Sequence, residues 1–172
     1  AGQKRDRIYV FSKPGKDGKS TDRKTFAEGF EMGMDLLMAR DGWLYVAERS
    51  RISRIRDTDN DLKADQFQTI IDLKTTGKYP HNGLAGLSFD SFNYLYFGLG
   101  ENLGHPYHMI GSDGKSIKGA EGIGGGIFRC KRDGSGLESV ARGLWNPFGL
   151  CVDEFGRVLA VDNDPGASPP CR

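Results

Sequence analysis

The chain has 172 residues, a formal net charge of +1 and 27% charged residues. That length can bury a sizeable core in a single domain. Lys and Arg are scattered among Asp and Glu, which excludes a nucleic-acid binder working through a basic stripe. No apolar run is long enough to span a bilayer and nothing at the start reads as a signal peptide, so Ala1 is either a mature N-terminus or a cut within a longer chain.

Glycine is the loudest signal, with 25 residues, mostly beside Asp, Asn or another Gly, and it predicts tight turns between short strands. In chain order, Ile8–Phe11 is a short strand, then come a polar turn (Lys13 to Asp22) and a second strand, Lys24–Ala27. Asp35–Glu48 reads as an apolar strand, a two-residue Asp41-Gly42 turn and an apolar-aromatic strand. Ile52–Ile55 and Gln68–Ile71 repeat the first pair around an acidic turn. Gly86–Leu99 repeats the hairpin with Phe92-Asn93 at its turn, and Ile127–Cys130 and Glu138–Ala141 again supply the flanking pair. Gly149–Asp162 is a third hairpin, turning at Phe155-Gly156. The hairpin strands do not alternate strictly, so they are expected to be buried on both faces, while the flanking strands alternate as half-exposed strands do.

A unit of four antiparallel strands repeated in this way is the blade of a β-propeller. The expected fold class is therefore all-β: one partial propeller domain over 1–172, with about three blades in units 8–50, 52–102 and 127–165. Residues 103–126 are expected to form a long loop insertion over the channel face. Closed propellers need at least four blades, so the chain is expected either to be a fragment or to close with the remaining blades or another chain as its partner.

Hairpin geometry gathers the residues leading into each hairpin (Phe30-Glu31, His81-Asn82, Trp145-Asn146) with those leaving it (Glu48-Arg49, Glu101-Asn102, Asp162-Asn163-Asp164). Any one of these Asn or Asp residues reads as a turn cap, but the set is expected to form a ligand site at the channel mouth. His81, between a Tyr-Pro and an Asn-Gly step, is its leading candidate. Asp57, Asp59, Asp61 and Asp65 resemble the start of a Ca²⁺ loop, although Leu62 stands where Gly is usual; an acidic turn without metal is the equal alternative. Gly18-Lys19-Ser20 and Gly114-Lys115-Ser116 lack the rest of a phosphate loop, and Gly119–Gly126 runs into a strand rather than a helix. His105 and His108 read as an incidental loop pair. There is no Gly-x-Ser-x-Gly elbow. Cys151 and Cys171 form a bridge in an oxidising compartment or remain thiols with Cys130.

His81-Asn82-Gly83-Leu84-Ala85-Gly86-Leu87, Leu95–Asn102, Arg142-Gly143-Leu144-Trp145-Asn146-Pro147-Phe148-Gly149 and Asp162-Asn163-Asp164-Pro165 occur in that order. This set resembles the soluble glucose/sorbosone dehydrogenase superfamily of six-bladed propellers, which use pyrroloquinoline quinone (PQQ) and Ca²⁺. It is closest to the secreted propellers of planctomycete-type bacteria whose chains continue into a haem-binding Cys-x-x-Cys-His segment. The resemblance implies a periplasmic or secreted oxidoreductase acting on a sugar or other alcohol, with a cytochrome c as electron acceptor. It implies His81 as general base, Asn146 and Asn163 near the cofactor, and Asp164 and Pro165 at the catalytic Ca²⁺. Trp145 stands where the family usually has an Arg that pairs with the quinone; it either stacks on a flat cofactor or sugar ring, or marks loss of the quinone. The alternatives are a glycan- or protein-binding propeller without the quinone, and a lactonase-type propeller with Glu48, Glu101, Asn102 and Asp162 around a metal.

Overall fold

The computed structural model describes residues 5–11, 13–77, 83–101, 104–120 and 124–163. Among them there is no α-helix. The strands are β1 (Asp6–Phe11), β2 (Arg23–Phe30), β3 (Gly33–Met38), β4 (Leu44–Glu48), β5 (Arg51–Arg56), β6 (Gln66–Thr75), β7 (Leu84–Phe89), β8 (Tyr94–Leu99), β9 (Tyr107–Gly111), β10 (Ser116–Gly119), β11 (Gly125–Lys131), β12 (Glu138–Leu144), β13 (Pro147–Val152) and β14 (Val158–Asp162). They form antiparallel sheets in the orders β1-β2, β10-β9-β6-β5-β4-β3, β12-β11-β8-β7 and β13-β14. The expected all-β class holds.

All three sequence hairpins are real: β3–β4, β7–β8 and β13–β14 are each antiparallel pairs. Their turns differ from the expectation. Asp90 N–H donates to Tyr94 O and Asn93 N–H to Asp90 O, and the same pair of bonds closes Ala39–Trp43 and Asp153–Arg157. Each turn is thus a three-residue loop in which only the last residue is left-handed: Gly42, Asn93 and Gly156 have φ of 86°, 66° and 78°. Gly15–Lys19, Gly111–Lys115 and Lys131–Ser135 close in the same way. Asp carboxylates lock several of them; Asp153 accepts the Phe155 and Arg157 amides, both at 2.9 Å.

A second correction concerns residues 103–126. The described residues 104–120 do not form a loop over one face. They carry the β9–β10 hairpin, and β9 pairs with β6, Leu73 opposite Met109. The alternation of Tyr107, Met109 and Gly111, all buried, supplies the strand pattern, with Tyr107 packed on Phe128 edge to face. The insertion therefore widens the outer edge of a sheet.

The core lies between the sheets, with Tyr45, Ile71, Leu84, Leu95, Phe97, Leu99, Met109 and Phe128 at its centre. β4 is buried along its whole length. Burial on both faces fails for β3 and β14, where Leu36, Met38, Leu159 and Val161 are exposed, because no further sheet covers them among the described residues. Neighbouring sheets approach through their hairpins. The Leu87 amide on β7 donates to the Asp35 carboxylate on β3 at 2.7 Å. A Cβ on Gly98 would lie 2.4 Å from the Pro147 carbonyl oxygen, so only glycine allows β8 and β13 to meet. Gly98→Ala is expected to destabilise the protein by about 1–3 kcal/mol through this overlap, read as a lower urea midpoint; an unchanged midpoint would mean that the two sheets do not depend on that contact.

Candidate functional site

The sheets have two unlike ends. The three-residue turns lie together at one, where the Ser112 amide reaches the Gly134 carbonyl at 3.1 Å. The connections that lead into and out of the hairpins lie at the other, and they carry the residues expected to form the site.

At this connecting end a carboxylate that closes each of two hairpins grips the peptide that opens it. Glu48, the last residue of β4, accepts the Glu31 amide at 2.5 Å. Asp162, the last residue of β14, accepts the Trp145 amide at 3.0 Å and the Asn146 amide at 2.6 Å. Glu31 and Trp145 both stand two residues before their hairpin's first strand, so the device repeats. Charge-assisted bonds of this kind are stronger than neutral ones. Glu48 is only 1% exposed and is neutralised by Arg51. In the middle hairpin Leu99 takes the carboxylate's position, and a cross-link replaces the clamp: the Glu101 amide donates to the Trp145 carbonyl at 2.7 Å.

The Trp145–Asn146 step is therefore held by Asp162 on its N–H side and by Glu101 on its carbonyl. Asn146 is 4% exposed and Trp145 is half-buried. Glu101 Oε2 is buried and has no partner among the described residues. Next to it, Arg49 anchors the connection between β6 and β7 from both sides. Its guanidinium bonds the Gly77 carbonyl, its own carbonyl accepts the Leu84 amide at 3.2 Å, and its Cα would lie 2.5 Å from a Cβ on Gly83. His81 belongs to that connection but lies outside the described residues, as do Asn102, Asp164, Pro165 and Cys171. Asn163 is exposed just past β14.

Of the residues expected at this end, the structure joins Glu31 to Glu48, and Trp145 and Asn146 to Asp162 and Glu101; the roles of Glu48, Asp162 and Glu101 in those links were not foreseen from the sequence. The signal was present for two of them: a carboxylate recurs at the last position of the first and third hairpins.

The acidic turn lies at the opposite end, between β5 and β6. Ligand oxygens of Asp57, Asp59 and Asp61 lie within 4.8 Å of one another. Leu62 takes φ of 70°, the left-handed conformation for which glycine is usual at that position. The Asp57 carboxylate accepts the Asn60 amide at 2.8 Å and the Leu62 amide at 2.9 Å. Desolvation pushes its pKa up, but the Leu62 and Asn60 amides outweigh that and hold it below the ordinary carboxylate range. Asp65 stands apart from the cluster and accepts the Thr58 amide at 3.2 Å. His105 Nδ1 contacts the Thr76 hydroxyl at 3.3 Å. Cys130 is buried, and burial pushes its thiol up to about 12, which leaves it inert as a nucleophile. Cys151 is exposed.

Residues 1–169 match a family described as a domain of unknown function, DUF7133. No curated protein matches the chain.

Removing the Asp162 carboxylate leaves two amides without their acceptor. Asp162→Ala is expected to cost about 1–3 kcal/mol and, in a Trp43→Phe background, to shift Trp145 emission to longer wavelength. Unchanged stability and emission would show that the clamp does not hold the Trp145 step.

Proposed function

We propose that this chain, which belongs to the DUF7133 family, is a partial β-propeller whose connecting end binds a neutral, polyhydroxylated ligand such as a sugar or other alcohol. The stacking of successive hairpins, β3 on β7 and β7 on β13, supports the propeller, as does the gathering of every three-residue turn at one end. The ligand class rests on one observation. The Trp145–Asn146 step is bonded to the backbone of Glu101, whose Oε2 is buried and has no partner among the described residues. A carboxylate acceptor, an amide and an indole face suit hydroxyl donors and the apolar face of a sugar ring.

The same residues do not fit PQQ. Its three carboxylates call for guanidinium or ammonium donors, whereas Asp162 and Glu101 bond the step, Trp145 stands in place of Arg, and the Arg49 guanidinium is committed to the Gly77 carbonyl. No step through a quinone follows from this geometry, and His81 is proposed as a residue that hydrogen-bonds the ligand. The resemblance of the sequence to dehydrogenases supports the scaffold more than the chemistry.

The reading is tested by thermal shift and Trp145 fluorescence against an array of neutral mono- and oligosaccharides, with PQQ plus Ca²⁺ as the contrast. A saccharide is expected to raise Tm in the native chain, and Glu101→Gln or Trp145→Ala to weaken that binding at least tenfold. Tight PQQ binding with dye reduction on adding an alcohol would replace this reading with the dehydrogenase.

The Asp57–Asp61 turn is proposed to hold a structural Ca²⁺, because three hard oxygen donors converge there and Leu62 already has the backbone such a loop needs. Millimolar Ca²⁺ is expected to raise Tm by several degrees, and Asp59→Ala to abolish the rise without altering saccharide binding. No rise in the native chain would leave an acidic turn.

A further inference from the structure

The sheet that holds β5 and the sheet that holds β11 meet in the middle of the chain, and at the turn end their interface carries side chains that the connecting end does not use. Arg54 and Arg56 on β5 share a face, since strand side chains alternate, and Ile55 between them turns the other way into the core. Across the sheet Arg54 is opposite Gln68 and Arg56 opposite Gln66 on β6. On the other side stands Trp43, just before β4. Both guanidiniums lie over its indole, each with its central carbon 4.6 Å from the ring centroid.

The polar groups left over in this set are donors. Gln68 Oε1 accepts from Arg54 Nε and Gln66 Oε1 accepts from Arg56 Nη2, both at 2.8 Å. A guanidinium can only donate, so each amide turns its oxygen to the Arg and its NH2 group away. Arg54 Nη1 also donates to the Arg132 carbonyl at 3.2 Å. Arg56 Nε is buried and has no partner among the described residues. Neither Arg makes an ion pair among them. The carboxylates nearby are taken up elsewhere. Asp41 pairs with Arg132. Asp133, whose charge acts on Arg54, is held by the Ser135 amide and hydroxyl. Asp57 and Asp65 accept amides of their own turn. Two half-buried cations thus share one indole without a counter-charge, and an unpaired, partly desolvated charge is costly. Gln66 and Gln68 are exposed, so the set is open to solvent along one edge.

We propose that Arg54, Arg56, Gln66 and Gln68, braced by Trp43, bind a tetrahedral oxyanion, sulfate or phosphate, either free or as the ester group of a larger ligand. Two guanidiniums and two amides offer more donors than one planar carboxylate takes up, and the oxygens of a tetrahedral ion point in enough directions to meet them. Residues two apart on a strand lie about 7 Å from each other along it, a gap that one such ion bridges when it accepts from both guanidiniums. The site is independent of the ligand proposed for the connecting end.

The chain has two tryptophans, so in a Trp145→Phe background the emission reports Trp43 alone. Sodium sulfate and sodium phosphate are titrated against sodium chloride at matched ionic strength. A saturable change is expected with sulfate or phosphate and not with chloride. Gln66→Glu, at an exposed position, sets a carboxylate beside Arg56 and is expected to weaken anion binding at least tenfold with β-sheet circular dichroism unchanged; Arg56→Gln is expected to weaken it as much. Glucose 6-sulfate and glucose 6-phosphate distinguish the sources. An ester that binds more tightly than the inorganic ion assigns the site to an esterified ligand, and one that binds no more tightly assigns it to the free ion; either result supports the site. Emission that answers chloride as strongly as sulfate, or an affinity for sulfate unchanged by Gln66→Glu in a folded chain, would overturn the proposal.

Discussion

The closeness with which neighbouring hairpins approach governs everything at the connecting end. Gly98 lets the Pro147 carbonyl sit where a side chain would otherwise be, and that contact brings the exit of β8 beside the residues that open β13. Only at that spacing can the Glu101 amide reach the Trp145 carbonyl. Asp162 then fixes the other side of the same peptide by accepting the Asn146 amide. A backbone contact too tight for alanine thus becomes a rigid Trp–Asn step.

The clamps also show how a repeat divides into structural and binding positions. Glu48 is buried and neutralised by Arg51, so its role is complete within its own sheet. Asp162 uses both oxygens on backbone amides. Glu101 stands two residues further along its hairpin than either, and its carboxylate is spare because its backbone, not its side chain, makes the cross-link. On the proposed reading, that difference marks Glu101 as the carboxylate that would meet a ligand.

Most of the fold was legible in the sequence. Apolar pairs around Asp41-Gly42, Phe92-Asn93 and Phe155-Gly156 marked each hairpin, since strand period and turn chemistry are local properties. The β9–β10 hairpin was missed because Tyr107, Met109 and Gly111 alternate over only a few residues between glycine-rich segments, and its pairing with β6 is a long-range choice. The exposure of β3 and β14 was missed for a similar reason: burial depends on what stands beside a strand. The Asp162 and Glu48 clamps needed coordinates, because a carboxylate at a strand end looks the same in sequence whether it faces water or a peptide.

The unlike ends of the sheets leave the protein with two very different capacities for change. At one end a fixed three-residue loop sets the register of β3–β4, β7–β8 and β13–β14, and one added residue would turn side chains to the wrong face. At the other the connections already vary in length, from the two residues between β4 and β5 to the segment that holds β9–β10. A lineage can therefore lengthen or rewrite the connecting end while the stacked strands stay put, without having to solve the folding problem again.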